Sequence, residues 1–160
     1  MEINCQPIGI IRTPFDEIEN MPIQPGGAKG VQGSIEILPE YVEALKDLDG
    51  FSHIYLIYHF HKVVSWKPIV TPFLDKKQHG LFATRAPKRP NPIGLSIVRL
   101  LTVDANTLFI ENVDMLNGTP LLDIKPYVPD FDHFDTTAIG WLREASMHVK
   151  DARSDQRFAK

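Results

Sequence analysis

The chain has 160 residues, of which 43% are hydrophobic and 23% charged, with 13 prolines and 10 glycines. This length fits one domain with a substantial core, and the composition excludes disorder as the main state. No apolar run approaches the length of a membrane span, and the first residues lack the layout of a signal peptide, so we expect a cytoplasmic protein. Cys5 is the single cysteine; it excludes an internal disulfide, and we expect a buried, inert thiol.

Seven short segments of the chain are rich in β-branched or aromatic residues, and turn residues separate most of them. Such segments are typical of strands. The Asn117-Gly118 pair predicts a two-residue hairpin turn. The predicted strands cover residues 8–12, 31–38, 53–60, 80–84, 93–103, 107–116 and 120–128.

Two other segments have helical signals. The segment at 39–50 has a proline at its start and a glycine as its stop, which predicts one helix between two strands. Its apolar side consists of Val42, Leu45 and Leu48. The segment at 138–151 predicts a second helix, followed by a frayed polar end from about residue 152. Its expected docking contacts are Ile139, Leu142 and Met147.

Frequent strands with so little helix favour a closed or nearly closed antiparallel barrel. We therefore predict an all-β, mainly β fold: a small antiparallel β-barrel with one inter-strand helix and a short C-terminal helix. The barrel domain is expected over 1–140 and a C-terminal helical tail over 141–160. A G-x-G-x-x-G turn is missing, and the glycines at 26–34 lack the order of a P-loop, so a Rossmann site is unsupported.

Charge is unevenly distributed along the chain. The formal net charge of −3 argues by itself against nucleic acid as a partner. Between Lys62 and Arg99, however, eight cations face one anion, a local charge of +7, which leaves −10 for the remainder. Such segregation gives a region of positive potential that could follow a phosphate backbone. A solvated loop with scattered lysines is the simpler alternative.

Three histidines, His53, His59 and His61, share one face of the strand HIYLIYHFH. Two imidazoles at i and i+2 could bind a metal ion, but a third ligand and a cysteine or HExxH partner are missing. We therefore predict no metal site. His61 remains a candidate wall of a pocket because it lies at the strand end beside Phe60.

Asp123, Lys125 and Tyr127 alternate onto one face of the strand at 120–128, and Leu122 and Ile124 onto the other. An acid, a base and a phenol in one row form either a solvated surface or the lining of a polar pocket. Prolines at both ends stiffen this segment and favour the pocket. Both interpretations stay open on the residues alone.

The segment FATRAPKRPNPIGLS at 82–96 has more proline and charge than a connection requires. Its prolines hold the backbone extended without strand pairing, so its carbonyls remain available to a ligand. Asn91 can bond a heterocycle edge, Gly94 lets a bulky group approach the backbone, and Arg85, Lys88 and Arg89 can reach phosphates. The alternative is an unusually proline-rich hairpin loop.

Two of these motifs together resemble a known family. RAPKRPNPIGLS and DMLNGTPLLDIKPY, preceded by GSIEI and HIYLIYHFH, are similar to the TsaA-like, or TrmO, family of S-adenosylmethionine-dependent tRNA methyltransferases, over about residues 8–141. The resemblance implies a small β-barrel that acts as a homodimer. It also implies N6-methylation of threonylcarbamoyladenosine at position 37 of tRNA, beside the anticodon.

The resemblance also implies site residues. S-adenosylmethionine would be bound by Phe60, His61, Arg85, Pro90, Asn91, Leu95, Ser96, Leu122, Asp123 and Lys125. The catalytic candidates are Asp123 as base or orienting group, and Lys125 and Tyr127 as stabilisers of negative charge. The anticodon stem-loop would be contacted by Lys62, Lys67, Lys76, Lys77, Lys88 and Arg89.

Neither a membrane nor DNA is expected as a partner. Two alternatives stay open: an S-adenosylmethionine-binding β-barrel module without transferase activity, and a methyltransferase for a small molecule or another nucleoside.

Overall fold

The computed structural model describes residues 2–145 and 151–158. Its eight strands are β1 Gly9–Arg12, β2 Gln32–Ile37, β3 His53–His59, β4 Ile69–Val70, β5 His79–Gly80, β6 Ile93–Asp104, β7 Thr107–Glu111 and β8 Thr119–Pro126. Two short α-helices follow, α1 Pro129–Asp132 and α2 Leu142–Ala145. Short 3₁₀ helices lie at Pro25–Gly27, Pro39–Leu45, Leu48–Gly50, Leu81–Ala83 and Gln156–Phe158.

Six of the strands close into an antiparallel barrel in the order β1-β2-β7-β6-β3-β8. Strands β4 and β5 form a separate two-stranded ribbon. The barrel forms because each strand alternates between apolar and polar residues, so that one face of the sheet can be buried. The predicted mainly β barrel is confirmed.

The core of the barrel consists of aliphatic side chains from all six strands. Strand β3 shows the pattern clearly, since Ile54, Leu56 and Tyr58 are buried and the alternate residues are half-exposed. The largest fully buried side chains are Ile11, Ile35, Ile54, Leu56, Val98, Leu108, Ile110, Val113 and Leu121.

The predicted helix at 39–50 is wrong in type. The segment forms two 3₁₀ helices, Pro39–Leu45 and Leu48–Gly50, broken where Asp47 has a left-handed backbone at φ 65°. Val42, Leu45 and Leu48 do pack against the barrel core. They recur every three residues, which matches the three residues per turn of a 3₁₀ helix better than the 3.6 of an α-helix.

Two other local predictions are also wrong. Residues 80–84 continue from the short β5 into a 3₁₀ helix at Leu81–Ala83. Asn117-Gly118 does not form a hairpin, because β7 and β8 are not paired with each other. Instead the amide of Asn117 donates to the Phe15 carbonyl and that of Gly118 to the Ile11 carbonyl, so contacts distant in sequence fix this turn.

The C-terminal segment returns to the body of the molecule. The predicted second helix is described only at α2, and Met147 lies outside the described residues. The expected fraying from residue 152 is wrong, because the Ser154 amide donates to the Met21 carbonyl and Phe158 is buried against Val70, Leu81 and Ala86.

Cys5 is exposed, so the prediction of a buried thiol is wrong. It lies ahead of β1, in a stretch without regular structure. Within residues 2–145 and 151–158, no helix has the length and apolar character needed to cross a bilayer.

Candidate active site

A cavity of about 630 Å³ opens at one end of the barrel. Its walls come from the end of β3, the start of β6 and the proline-rich segment before β6. The β1–β2, β4–β5 and β7–β8 connections and the C-terminal segment complete them. The walls are mainly apolar and include Ile23, Phe60, Leu95, Met115 and Leu116. A volume of this size is typical of sites for small molecules and cofactors.

A chain of hydrogen bonds runs behind the cavity wall. The Ser96 hydroxyl donates to Asp114 Oδ1 at 2.7 Å, and the Tyr58 hydroxyl lies 3.1 Å from Ser96 Oγ. Because Ser96 has one proton and gives it to the carboxylate, Tyr58 is the donor to Ser96. The chain Tyr58–Ser96–Asp114 therefore ends on a carboxylate that lines the cavity.

Asp114 is electrostatically unusual. Its burial raises the pKa of the carboxyl from 3.8 to about 6, against the opposing effects of the Ser96 hydrogen bond and the positive charge of Arg85. The same buried surroundings raise the pKa of the Tyr58 hydroxyl above its usual value, so this group stays protonated. A carboxyl group that titrates near neutrality in a cavity is a candidate for acid–base work.

Gly94 fixes the position of the Tyr58 ring. The two residues face each other across the β3–β6 pairing. A Cβ atom on Gly94 would lie 2.2 Å from Tyr58 Cε2 and 2.4 Å from Tyr58 Cζ. Glycine at this position therefore lets the ring lie flat against β6, where its hydroxyl reaches Ser96. The bulky group predicted to approach Gly94 is thus a side chain of the protein.

The proline-rich segment is held by its own polar groups. Arg89 Nη1 donates to the Thr84 carbonyl at 3.0 Å and to the Ala86 carbonyl at 3.3 Å. The Phe60 amide donates to the Pro92 carbonyl at 2.7 Å. Several carbonyls that were expected to remain free for a ligand are therefore used within the chain.

Several predicted cofactor residues meet at the cavity. Phe60, His61, Arg85 and Leu95 line it. Ser96 lies behind the wall and reaches the cavity through Asp114. Burial, with smaller contributions from Lys62 and His59, lowers the pKa of His61 below its usual value, which favours the neutral imidazole.

The remaining predicted residues lie outside the cavity lining. Pro90 and Asn91 are exposed in the segment before β6 and do not line the cavity. Lys125 Nζ pairs with Asp123 Oδ2 at 2.8 Å on the outer face of the barrel. The pairing of β8 with β3 shifts by one residue at Leu122. Tyr127 packs against the rings of His53 and Tyr55. A single chain therefore does not bring Asp123, Lys125 and Tyr127 to the cavity.

The predicted tRNA-contacting cations fall into two groups. The exposed ones are Lys62, Lys67, Lys76 and Lys77. Lys88 is only 9% exposed, and Arg89 is occupied with the carbonyls of its own loop and with the Phe82 ring, 5.7 Å away. Lys88 is therefore largely covered, unlike the four exposed lysines, and Arg89 stabilises its own loop.

Several residues of the site were not predicted. Asp114, Tyr58 and Thr119 line the cavity, as do Trp141 and Phe158 from the C-terminal segment. Asp114 belongs to the motif DMLNGT, but its contact with Ser96 forms only because the fold places the β7–β8 connection beside β6. A local sequence pattern does not show this placement. Among the described residues, no group of three or more His, Cys, Asp or Glu side chains is placed to hold a metal ion.

Comparison with known proteins identifies a family. Residues 10–133 match the sequence profile of the tRNA-methyltransferase O N-terminal domain. A probable S-adenosyl-L-methionine-binding protein of Pyrococcus abyssi is 52% identical, over 96% of this chain and 83% of its own length. The tRNA (adenine(37)-N6)-methyltransferase of Escherichia coli is 38% identical, over 86% of this chain and 63% of its own length.

Solved structures agree with this. The crystal structure of TrmO from Pseudomonas aeruginosa superimposes with a TM-score of 0.73 at 40% identity. The match covers 88% of this chain and 63% of that one. The present chain therefore spans less than two thirds of the length of this structure and of the Escherichia coli enzyme.

Proposed function

Since the chain belongs to the family of the tRNA-methyltransferase O N-terminal domain, we propose that it transfers a methyl group from S-adenosylmethionine to N6 of adenosine 37 in tRNA. The finer proposal is that this adenosine carries a threonylcarbamoyl group, and that the reaction takes place in the cytoplasm. The observation that carries the proposal is the cavity, which joins apolar walls to the buried carboxylate of Asp114 and the guanidinium of Arg85.

The residues of the cavity fit the chemical groups of S-adenosylmethionine. The side chains of Phe60 and Leu95 offer apolar surface for an adenine ring. Arg85 presents a guanidinium to the cavity, and Gln24 Oε1 holds it at 3.0 Å. A guanidinium is suited to the carboxylate end of the methionyl group. When bound, this cofactor supplies a methyl group on a positively charged sulfur.

The protein's contribution to transfer is alignment and exclusion of water. The mainly apolar walls create a dry site in which two reacting atoms can be held in line, which can supply much of the acceleration. The acceptor nitrogen lies between a purine and a carbonyl group, so it is a poor nucleophile and must lose a proton during methylation. A proton acceptor at the cavity wall is therefore useful.

The exposed lysines support an RNA substrate. Lys62 lines the cavity, while Lys76 and Lys77 lie on the loop before β5 with their side chains exposed. Asp75 anchors this loop, since its Oδ1 accepts the amides of Lys76 and Lys77 and its Oδ2 pairs with His79 at 2.8 Å. Cations presented in this way bind phosphates and position an RNA without reading its sequence.

A second copy of the chain would cover the outer face of β6, β3 and β8. On β6, Ile93, Leu95 and Ile97 are 44%, 50% and 37% exposed, an apolar row that continues to the rim of the cavity at Leu95. Ile57 pairs with Leu95 on one side and with Asp123 on the other. Leu95 and Asp123 are therefore two strand spacings apart, about 10 Å.

A homodimer across this face would bring residues of the partner's β8 beside the cavity rim. Three predicted cofactor residues lie away from the cavity of their own chain. In the dimer they would complete the cofactor site of the other chain; they are Leu122, Asp123 and Lys125.

Labelled methyl transfer tests the proposed function. Purified protein is incubated with S-adenosylmethionine and with tRNA that carries or lacks the threonylcarbamoyl group, and the labelled nucleoside is identified after digestion. Label on adenosine 37 of the modified tRNA alone supports the finer proposal. Label on both tRNAs supports adenosine-37 methylation without that requirement. Cofactor binding without transfer to any RNA would favour the binding module, and transfer to a free nucleoside would favour another acceptor.

Arg85→Gln provides the matching test of the cofactor site. We expect cofactor affinity to fall by about 10- to 100-fold, because one charge-assisted contact is lost. Arg12→Gln is the control, since Arg12 pairs with Glu36 on the outside of the barrel. Equal affinities of the two variants would contradict the placement of the cofactor in this cavity.

A further inference from the structure

We propose that Asp114 accepts the proton that the acceptor nitrogen loses, and that Ser96 and Tyr58 hold its carboxylate in place for this step. The inference rests on the proposed function and names the base for it. Asp123 was the candidate base once the family resemblance was considered, but it lies on the outer face, paired with Lys125. Asp114 is the buried carboxylate that lines the cavity itself.

The hydrogen bonds of the Tyr58–Ser96–Asp114 chain all point toward the carboxylate. Tyr58 donates to Ser96, and Ser96 donates to Asp114 Oδ1 at 2.7 Å, so both bonds favour the ionised carboxylate. The partners are neutral hydroxyl groups, whereas the guanidinium of Arg85 is bonded to Gln24. The carboxylate is thus oriented without being neutralised by a bonded cation, and Oδ2 can accept a proton from the cavity.

The surroundings of the Asp114 carboxylate also suit it to accept a proton. Burial in the barrel end makes its pKa higher than that of an ordinary aspartate, which makes it a stronger base near neutral pH. The charged or titratable groups that face the same cavity are Tyr58, His61, Lys62, Arg85 and Arg89. The Ser96 hydrogen bond and the positive charge of Arg85 oppose the effect of burial on the pKa of Asp114, so the carboxylate is still largely ionised at neutral pH.

The proposed step is balanced in atoms and charge. The carbon–sulfur bond of the sulfonium breaks and leaves its electron pair on sulfur, while the lone pair of the acceptor nitrogen forms the new carbon–nitrogen bond. The N–H proton passes to the Asp114 carboxylate, which returns it to solvent after the product leaves. The sulfonium loses its positive charge as the carboxylate loses its negative charge. The net charge inside the dry cavity therefore stays the same during the step.

Asp114→Asn is the first test. Single-turnover transfer from S-adenosylmethionine to threonylcarbamoylated tRNA should fall by about 10²- to 10⁴-fold, the usual contribution of a general base. Cofactor affinity, measured by calorimetry, should stay within about threefold. Asp104→Asn is the control, because Asp104 is exposed in the β6–β7 hairpin. Transfer by Asp114→Asn at the wild-type rate would overturn the inference while leaving the proposed function intact.

Ser96→Ala is the second test, with a readout that does not depend on turnover. Loss of the Ser96 hydrogen bond removes a group that lowers the pKa of Asp114. The carboxyl resonance of Asp114 in a carbon-13 NMR titration should therefore titrate about one pH unit higher, and the acid limb of the rate profile should move with it.

The outcomes of this second test are distinct. If the resonance moves and the rate profile does not, Asp114 is a structural carboxylate and the inference is wrong. A joint shift supports it, even if Asp114→Asn fails to fold. Absence of transfer by the wild-type protein would instead refute the proposed function, and this inference with it.

Discussion

Replacing Asp114 by asparagine should change how the stability of the protein depends on pH. Burial raises the pKa of this carboxyl from 3.8 to about 6 in the folded state. Between these two values the native carboxyl keeps its proton while the unfolded chain has lost it. Because the native state binds more protons, the stability of the wild-type protein falls as the pH rises through this window. Asparagine does not titrate, so the stability of the variant does not fall for this reason.

The size of the effect follows from the two pKa values. Between pH 4.5 and pH 7.5, Asp114 lowers the free energy of unfolding of the wild-type protein by about 2 kcal/mol, at 1.36 kcal/mol for each unit of differential titration. The stability of Asp114→Asn relative to wild type should therefore increase by about 2 kcal/mol between these pH values. A carboxylate that is kept in a dry site to act as a base is expected to lower the stability of the folded protein near neutral pH.

Urea unfolding of both proteins at pH 4.5 and pH 7.5 measures this difference. All other titrating groups are common to the two proteins and cancel in the comparison. Asp104→Asn again serves as the control and should follow the wild type at both pH values. A constant difference between Asp114→Asn and wild type would show that Asp114 titrates normally, and would refute the argument from burial.

Three other changes test separate parts of the structure. Gly94→Ala should destabilise the fold by about 1–3 kcal/mol, because the added methyl group displaces a buried ring, whereas Gly50→Ala, with open space around it, should be neutral in the same urea unfolding assay. Lys76→Glu with Lys77→Glu should weaken tRNA methylation and flatten its salt dependence without affecting cofactor affinity; unchanged methylation would exclude this loop from RNA binding. Ile97→Glu should convert a dimer into a monomer in analytical ultracentrifugation, and an unaffected dimer would place the interface elsewhere.

The barrel was predictable from the sequence because its signal is local. Alternation in segments such as 53–60 identifies both the strand and its buried face, and the structure buries Ile54, Leu56 and Tyr58 as that alternation requires. The errors arose where tertiary contacts decide the local conformation. Asn117-Gly118 has a strong hairpin pattern, yet its amides bond to residues before β2, and the chain continues to a strand that pairs elsewhere.

The candidate site was predictable in part. The proline-rich segment and the end of β3 were singled out from their residues, and Phe60, His61, Arg85 and Leu95 do line the cavity. Asp114 could not be found in this way, because an aspartate in a loop is ordinarily solvated. It becomes chemically distinctive through its contact with Ser96, 18 residues earlier, which the barrel closure creates.

The most direct test of the account is the position of the transferred methyl group. The protein is supplied with S-adenosylmethionine and threonylcarbamoylated tRNA, and the nucleosides are separated by mass after complete digestion. We expect threonylcarbamoyladenosine from position 37 to gain one methyl group at N6, at a rate that depends on Arg85. A methyl group on any other nucleoside, or none on the RNA although the cofactor binds, would contradict the proposed reaction.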